Sequence, residues 1–314
     1  MSKDRIETDA YRASSEVGDK IYKADSYFFK PWQFADYEVN ICTLKSTYEE
    51  IYIWGTHQAM FRPGFKVEDN HIFIPNIFAK ISGVHKSKRQ YRKEIKLLRK
   101  TPNTLFFPSF PLFRAKPSKL TNRSYYSVLD SSGYIDKKKL LSSQFWKYRQ
   151  LRTSVQNLIA DRIIDFCSLS RFKNYEFWST EPKKGLLDTV TDFLQNFDIN
   201  INLNTNPKSF ELAKMKVFNI LNDIDEPLIR LLSKFDYPFY VPKLVVYNNG
   251  SKFSKVTFED VVKLTFMNSL GADVIIYNPA GFNDIEDFIR ESYYDIHRLD
   301  EVAFNLNYSS WTLF

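Results

Sequence analysis

Apolar positions along the chain follow two periods. In "YEVNICTL", Tyr37 to Leu44, Val39, Ile41 and Thr43 share one face, which predicts a strand. "STYEEIYIWGTHQAM" then takes helical spacing. Ser46 or Thr47 is placed to cap it, and Glu49 and Glu50 fall in the first turn, where the helix dipole favours negative charge. "FRPGF" reads as a turn, and "HIFIPNIFAKISGV" is an apolar run interrupted by Pro75. Proline has no ladder donor, so an edge strand, a bulge or two short pieces are expected there. "HKSKRQYRKEIKLLRK" predicts a helix with Tyr91, Ile95 and Leu98 as its apolar stripe. "TPNTLFFPSFPLFRAKPSKLTNRS" carries four prolines and predicts an irregular surface connection.

The middle of the chain is helical in period. "DKKKLLSSQFWKYRQLRTSVQNLIADRIIDFCSLS", "KGLLDTVTDFLQNF", "NPKSFELAKMKVFNILNDI" and "EPLIRLLSKF" each predict helix. The last eighty residues alternate. "PKLVVYNNG" is a buried strand running into a turn, and "TFEDVVKLTFMNSLG" is a helix that Thr257 can cap with Asp260 in reply. "ADVIIYNP" is a strand, and "NDIEDFIRESYYDI" a helix with Asn283 as cap and Glu286 at the box position. The expected fold is α/β, with an open, mostly parallel sheet, a βαβα unit at the C-terminus, a helical middle and an N-terminal α/β portion. The segments are 1–30, polar and of the kind found mobile at chain ends; 31–125, with the basic helix; 126–235, helical; and 236–314, α/β. Whether the N-terminal strands join the C-terminal sheet or form a small domain of their own stays open.

Composition adds little that is specific. The 314 residues suffice for one large domain or two ordinary ones, and 44% apolar with 26% charged is globular, not disordered. A 17% aromatic content favours a thick core. The net charge of +7 permits an anionic partner without requiring one. Cys42 and Cys167 lie far apart in apolar contexts, so core packing is expected of both, with no disulfide framework or zinc site. No stretch is long and apolar enough to span a bilayer, and the first thirty residues lack the apolar run of a signal peptide, so a cytoplasmic protein is expected.

Candidate chemistry gathers at the ends of the last two strands. Ligands bind open α/β sheets beyond the carboxyl ends of the strands. "YNNGS" and "YNPAGFND" emerge there, which brings Asn248, Asn249, Ser251, Asn278, Asn283, Asp284 and Glu286 toward one mouth. Backbone N–H groups after Gly281 can hold a phosphate or carboxylate. Asp284 and Glu286 would oppose such an anion unless Mg²⁺ lay between, or they would meet ribose hydroxyls. The alternative is purely local: a cap, a capping box and a turn. Lys80, alone in an apolar run, either faces water at a pleat or reaches into a pocket with a partner. Arg62 is a similar case. Lys88, Arg92, Lys96 and Arg99 along the basic helix form a candidate surface for a partner or for nucleic acid, although only Tyr91 interleaves them and no nucleic-acid motif accompanies them. The chain has no Walker loop, GxGxxG or GxSxG, and its four histidines show no metal-binding spacing.

"KPWQFADYEVNICTLKSTYEEI", "FRPGFKVEDNHIFIPNIFAKISGV" and "LGADVIIYNPAGFNDIEDFI" with the following "YDIHRLDEV" resemble the YceG-like family over about Pro31–Val84 and Thr257–Tyr308. The resemblance implies a bacterial setting beside Ter-type tellurium-resistance and stress proteins. It also implies a biosynthetic grouping with phosphoribosyltransferase-like, ATP-grasp-like and phosphatase-like proteins. It assigns no catalytic residue. The expected function is therefore a cytoplasmic component of such a stress-response system that binds or processes a nucleotide or sugar phosphate. If an enzyme, it would be transferase-like. The alternatives are a non-catalytic scaffold docking on proteins of the same system, or a nucleic-acid-binding protein using the basic helix.

Overall fold

The structure, a computed structural model, describes residues 37–114, 122–168, 207–234, 241–248 and 255–304. The described strands form one sheet: β1 (Glu38–Leu44), β2 (Lys66–Glu68), β3 (His71–Ser82), β4 (Thr104–Phe107), β5 (Lys243–Tyr247), β6 (Asp273–Asn278) and β7 (Asp295–Arg298). The main order is β1-β3-β6-β5-β4, with β2 and β7 also paired to β3. Every pairing is parallel except that of β2 with β3. Strands from both ends of the sequence thus interleave, and the N-terminal strands join the C-terminal sheet.

Helices cover both faces, which is why the central strands read as unbroken apolar runs. Successive strand residues point to opposite faces. Ile77, Ala79 and Ile81 of β3, Ile275 and Tyr277 of β6, and Val245 and Tyr247 of β5 meet α1 (Tyr48–Thr56) and α2 (Lys88–Lys100) through Ile51, Tyr91, Ile95 and Leu98. The alternate residues Phe78, Val274, Ile276, Leu244 and Val246 meet the other layer. That layer holds α3 (Asn122–Tyr126), α4 (Lys137–Ser142), α5 (Thr153–Phe166), α6 (Pro207–Asn222), α7 (Glu226–Ser233) and α8 (Phe258–Ser269). The chain leaving β3 goes to α2 on one face, and the chain leaving β5 goes to α8 on the other. The crossovers therefore part around β6, the place where an open α/β sheet has its ligand crevice.

β3 is one continuous strand of twelve residues despite Pro75. β1 pairs with its residues 71–77. β2 pairs with residues 71–73 and β6 with residues 78–82, which leaves a gap between them. Side chains fill that gap. Arg62 Nη1 donates to the Pro75 carbonyl at 3.2 Å, the Ile77 N–H donates to Asp273 Oδ1 at 3.0 Å, and Asn268 Nδ2 donates to the Ile77 carbonyl at 3.0 Å. In a parallel strand the N–H and C=O of one residue point to the same side, so the donor that proline lacks faces this gap and no strand needs it.

Several local expectations hold. Thr47 caps α1 with Glu50 completing the box, and Thr257 caps α8 with Asp260 in reply. Others are corrected. The proline-rich segment contains β4, which pairs with β5 because Thr104–Phe107 falls between the prolines. The helical period of 136–168 splits into α4 and α5, with Trp146, Tyr148 and Leu151 buried between them. Cys167 is buried, but Cys42 is exposed. The segment "KGLLDTVTDFLQNF" and residues 1–30 lie outside the described residues.

The predicted helix after β6 is also corrected. Two short 3₁₀ turns, Ile285–Asp287 and Glu291–Tyr293, lead into β7. Buried Ile285, Phe288 and Ile289 supply the helical spacing that the sequence shows. Local side-chain bonds win over the helix: Asp284 Oδ1 accepts the Ile285 N–H at 2.6 Å, and Glu286 Oε2 accepts the Asp284 N–H at 2.9 Å. Asp284, not Asn283, is the capping residue, and Asn283 is exposed.

Candidate functional site

Three adjacent parallel strands aim polar side chains at one point of the carboxyl edge. Register sets Ser82 of β3 beside Asn278 of β6, and the Asn248 N–H donates to the Tyr277 carbonyl, so Asn248 continues the row past β5. Lys80 lies two residues before Ser82 and so on the same face. Asp284 closes the group from the loop above.

The charged atoms of this group all have partners. The Lys80 ammonium donates to the Phe282 carbonyl at 2.9 Å, and stands 2.9 Å from Asp284 Oδ1 and 2.5 Å from Glu286 Oε1. Asp284 Oδ2 accepts Asn248 Nδ2 at 3.0 Å and Asn278 Nδ2 at 2.8 Å. Asn278 also donates to the Phe282 carbonyl at 2.8 Å and accepts the Gly281 N–H at 3.0 Å. Lys80 is 1% exposed and both asparagines 0%. Of the two readings open for Lys80, the structure takes the buried one. Five predicted residues, Lys80, Asn248, Asn278, Asp284 and Glu286, therefore form a single cluster.

The two carboxyls differ electrostatically. Burial pushes Asp284 up from the ordinary carboxylate value, and Lys80 only partly offsets this. Glu286 is also penalised by burial, but Lys80 and the Asp284 N–H bring it below its ordinary value. The residues do not suit a resident Mg²⁺ at Asp284 and Glu286. The ammonium of Lys80 already lies against both carboxylates, and no group of three or more metal-ligating side chains exists among the described residues.

The other candidates go elsewhere. Arg62 is not at this mouth. It forms a bidentate pair with Asp273, the first residue of β6, at 2.6 and 2.7 Å, at the opposite end of that strand from Asn278. Lys243, paired in register with Asp273, is buried beside it and donates to the Val241 carbonyl at 2.9 Å. Burial lowers the Lys243 ammonium to about 8. Lys88, Arg92, Lys96 and Arg99 are all exposed on α2, and the Arg99 guanidinium lies 5.1 Å from the centre of the Phe106 ring. Asn249 and Ser251 lie outside the described residues.

One group escaped the sequence reading. Glu94 lies in the inward stripe of α2 with Tyr91, Ile95 and Leu98 and is 9% exposed. Its carboxylate accepts Gln90 Nε2 at 3.0 Å and the Tyr48 hydroxyl. The available signal was its position: the single acid of a basic helix falls on the apolar side.

The YceG domain family matches residues 45–187 and 171–306. The chain belongs to the YceG family. It is 35% identical over 311 residues to a Bacillus subtilis (strain 168) protein named "Uncharacterized protein YceG", covering 99% of this chain and 52% of that relative. The chain thus spans about half the length of the curated relative it matches. No solved structure matches. YceG membership covers the Lys80 cluster, α2 and all strands from β2 to β7. No helix among the described residues is long and apolar enough to cross a membrane.

Proposed function

We propose that the chain binds a phosphorylated small molecule, a nucleotide or sugar phosphate, along the carboxyl edge of its sheet. One observation carries this reading. Lys86, Lys88 and Arg89 stand exposed where β3 passes into α2, at the edge where parallel sheets receive anionic ligands. In this reading the Lys80 cluster is the support and not the contact. Its polar atoms are spent internally, and they fix the loop 281–287 as a rigid wall that presents exposed Asn283. The setting suggested by the family resemblance is a cytoplasmic, Ter-type stress-response system, with a transferase-like step if the ligand is turned over.

A thermal-shift series tests the reading, with nucleotides, phosphoribosyl pyrophosphate, nucleotide sugars and pyrophosphate, each with and without Mg²⁺. A ligand that binds only the folded state raises Tm by mass action, by about 2.7 kcal/mol of stability at a hundredfold excess over Kd. The rise is expected with at least one phosphorylated compound and is lost in the triple variant Lys86→Glu/Lys88→Glu/Arg89→Glu. A flat response to the whole series rejects the reading.

A second reading rests on the length of the basic surface. Lys88, Arg92 and Lys96 continue down α2, away from the edge, and all are exposed. An acidic protein of the same system fits such a stripe by charge complementarity. Lys88→Glu/Arg92→Glu/Lys96→Glu would abolish that docking. Nucleic acid would show instead as binding to a short DNA or RNA that weakens steeply with salt.

A further inference from the structure

The β3–α2 junction carries a second polar group, on the face opposite Lys80. His85 follows β3 by three residues, Tyr48 opens α1 and Glu94 comes from the inward stripe of α2. The His85 and Tyr48 rings meet edge to face at 4.8 Å. His85 Nε2 is buried, makes no hydrogen bond, and stands 3.5 Å from Glu94 Oε2, the oxygen that accepts the Tyr48 hydroxyl. Gln90 holds the other Glu94 oxygen at 3.0 Å. The His85 side chain remains 20% exposed. Beneath lie Tyr91 and Tyr277, whose rings pack edge to face at 5.6 Å.

These contacts divide the roles. Burial first, and Glu94 among the lesser causes, hold the Tyr48, Tyr91 and Tyr277 phenols above their ordinary value, so they stay protonated. Tyr48 is thus a fixed donor to Glu94. A carboxylate that is buried, doubly hydrogen-bonded and directed at one imidazole nitrogen leaves the other nitrogen as the base. The same logic orients the histidine of a hydrolase triad. Contacts of this kind are long in the free protein and tighten on binding. A charged side chain placed in an apolar stripe also breaks the local rule that the rest of α2 obeys, as sites commonly do.

We propose that His85 is a general base at this edge, taking a proton at Nδ1 from a hydroxyl or water beside a phosphate-bearing ligand that Lys86, Lys88 and Arg89 hold. Glu94 and Tyr48 are positioning residues that fix Nε2–H toward the carboxylate. The proton moves from the ligand's oxygen to Nδ1, and the resulting imidazolium is balanced by Glu94. The inference rests on the reading that a phosphorylated ligand binds here, and adds that the ligand meets a base.

The test is ¹⁵N NMR of the four imidazoles in the full chain, assigned by single substitution, with inorganic pyrophosphate as the probe. At alkaline pH neutral His85 is expected as the Nε2–H tautomer, and Glu94→Gln or Tyr48→Phe should mix the tautomers. Pyrophosphate should shift the His85 resonances and leave those of His71 in place. The His85 shift with pyrophosphate should vanish in Lys86→Glu/Lys88→Glu/Arg89→Glu. A neutral His85 protonated at Nδ1 overturns the proposal in the unmodified protein, whatever the variants do. A rise in Tm with pyrophosphate while His85 is silent overturns the base and leaves the ligand reading standing. No rise in Tm with any compound of the phosphorylated series, together with no His85 shift, overturns both.

Discussion

Arg62 grips Asp273 through two parallel N–H···O bonds of 2.6 and 2.7 Å, and neither side chain touches solvent. The pair joins the turn before β2 to the first residue of β6. Its remaining bonds go to the backbone of β3, at Pro75 and Ile77. An arginine that reads as an anion-binding candidate in sequence is here the clasp of a gap in the sheet. Breaking one side of a buried pair leaves an uncompensated charge. Asp273→Asn is expected to lower unfolding stability by about 3–5 kcal/mol in urea titration. It should leave any ligand-induced rise in Tm proportionally unchanged, because the clasp lies at the far end of β6.

The Lys80 cluster should behave as one unit. Lys80→Met leaves two buried carboxyls facing each other, and a loss of about 3–5 kcal/mol is expected. Adding Asp284→Asn and Glu286→Gln removes the repulsion and should recover part of that loss. Equal stability of the single and triple variants in chemical denaturation would show that the ion pairs are not coupled.

Lys243 gives a pH signature. Its folded value, about 8, lies below the ordinary 10.5, so between these the unfolded chain binds more protons. Stability contributed by this residue therefore rises with pH from about 8 to 10.5, and the charging penalty is fully present below 8. The span corresponds to roughly 3 kcal/mol. Wild type should gain on Lys243→Met by that order across the window in pH-dependent unfolding, with the difference constant below it.

Two glycines separate backbone strain from collision. Gly83 (φ +88°) would set a Cβ 2.4 Å from the Glu301 carbonyl, whereas Gly133 (φ +81°) has nothing within 4 Å. Gly133→Ala should cost about 1 kcal/mol, from the left-handed conformation alone. Gly83→Ala should cost more than about 2 kcal/mol, since main chain cannot swing aside. Parallel thermal melts of the two variants check the ordering.

The unbroken apolar runs of β5 and β6, the caps at Thr47 and Thr257, and the amphipathic stripe of α2 were all legible in the sequence. Each is fixed by neighbours in the chain: a period, a cap three residues away, a proline or glycine. The edge of the candidate site was legible too, since carboxyl ends of parallel strands follow from the order of elements. What the sequence could not carry was the company each charge keeps. Lys80 lies about two hundred positions from Asp284 and Glu286 and becomes their partner only through the β3–β6 pairing. The loop after β6 leaves the helix its spacing predicts for 3₁₀ turns, because Asp284 and Glu286 bond the local backbone. Arg62 and Lys80 look alike as isolated cations in apolar surroundings, yet tertiary register sends them to opposite ends of β6. Glu94 reads as one acid among surface bases until the packing of α1 on α2 brings Tyr48 and His85 to it. Periodicity is a local property and determined the elements. Ion pairing depends on which strands become neighbours, and only the folded sheet decided that.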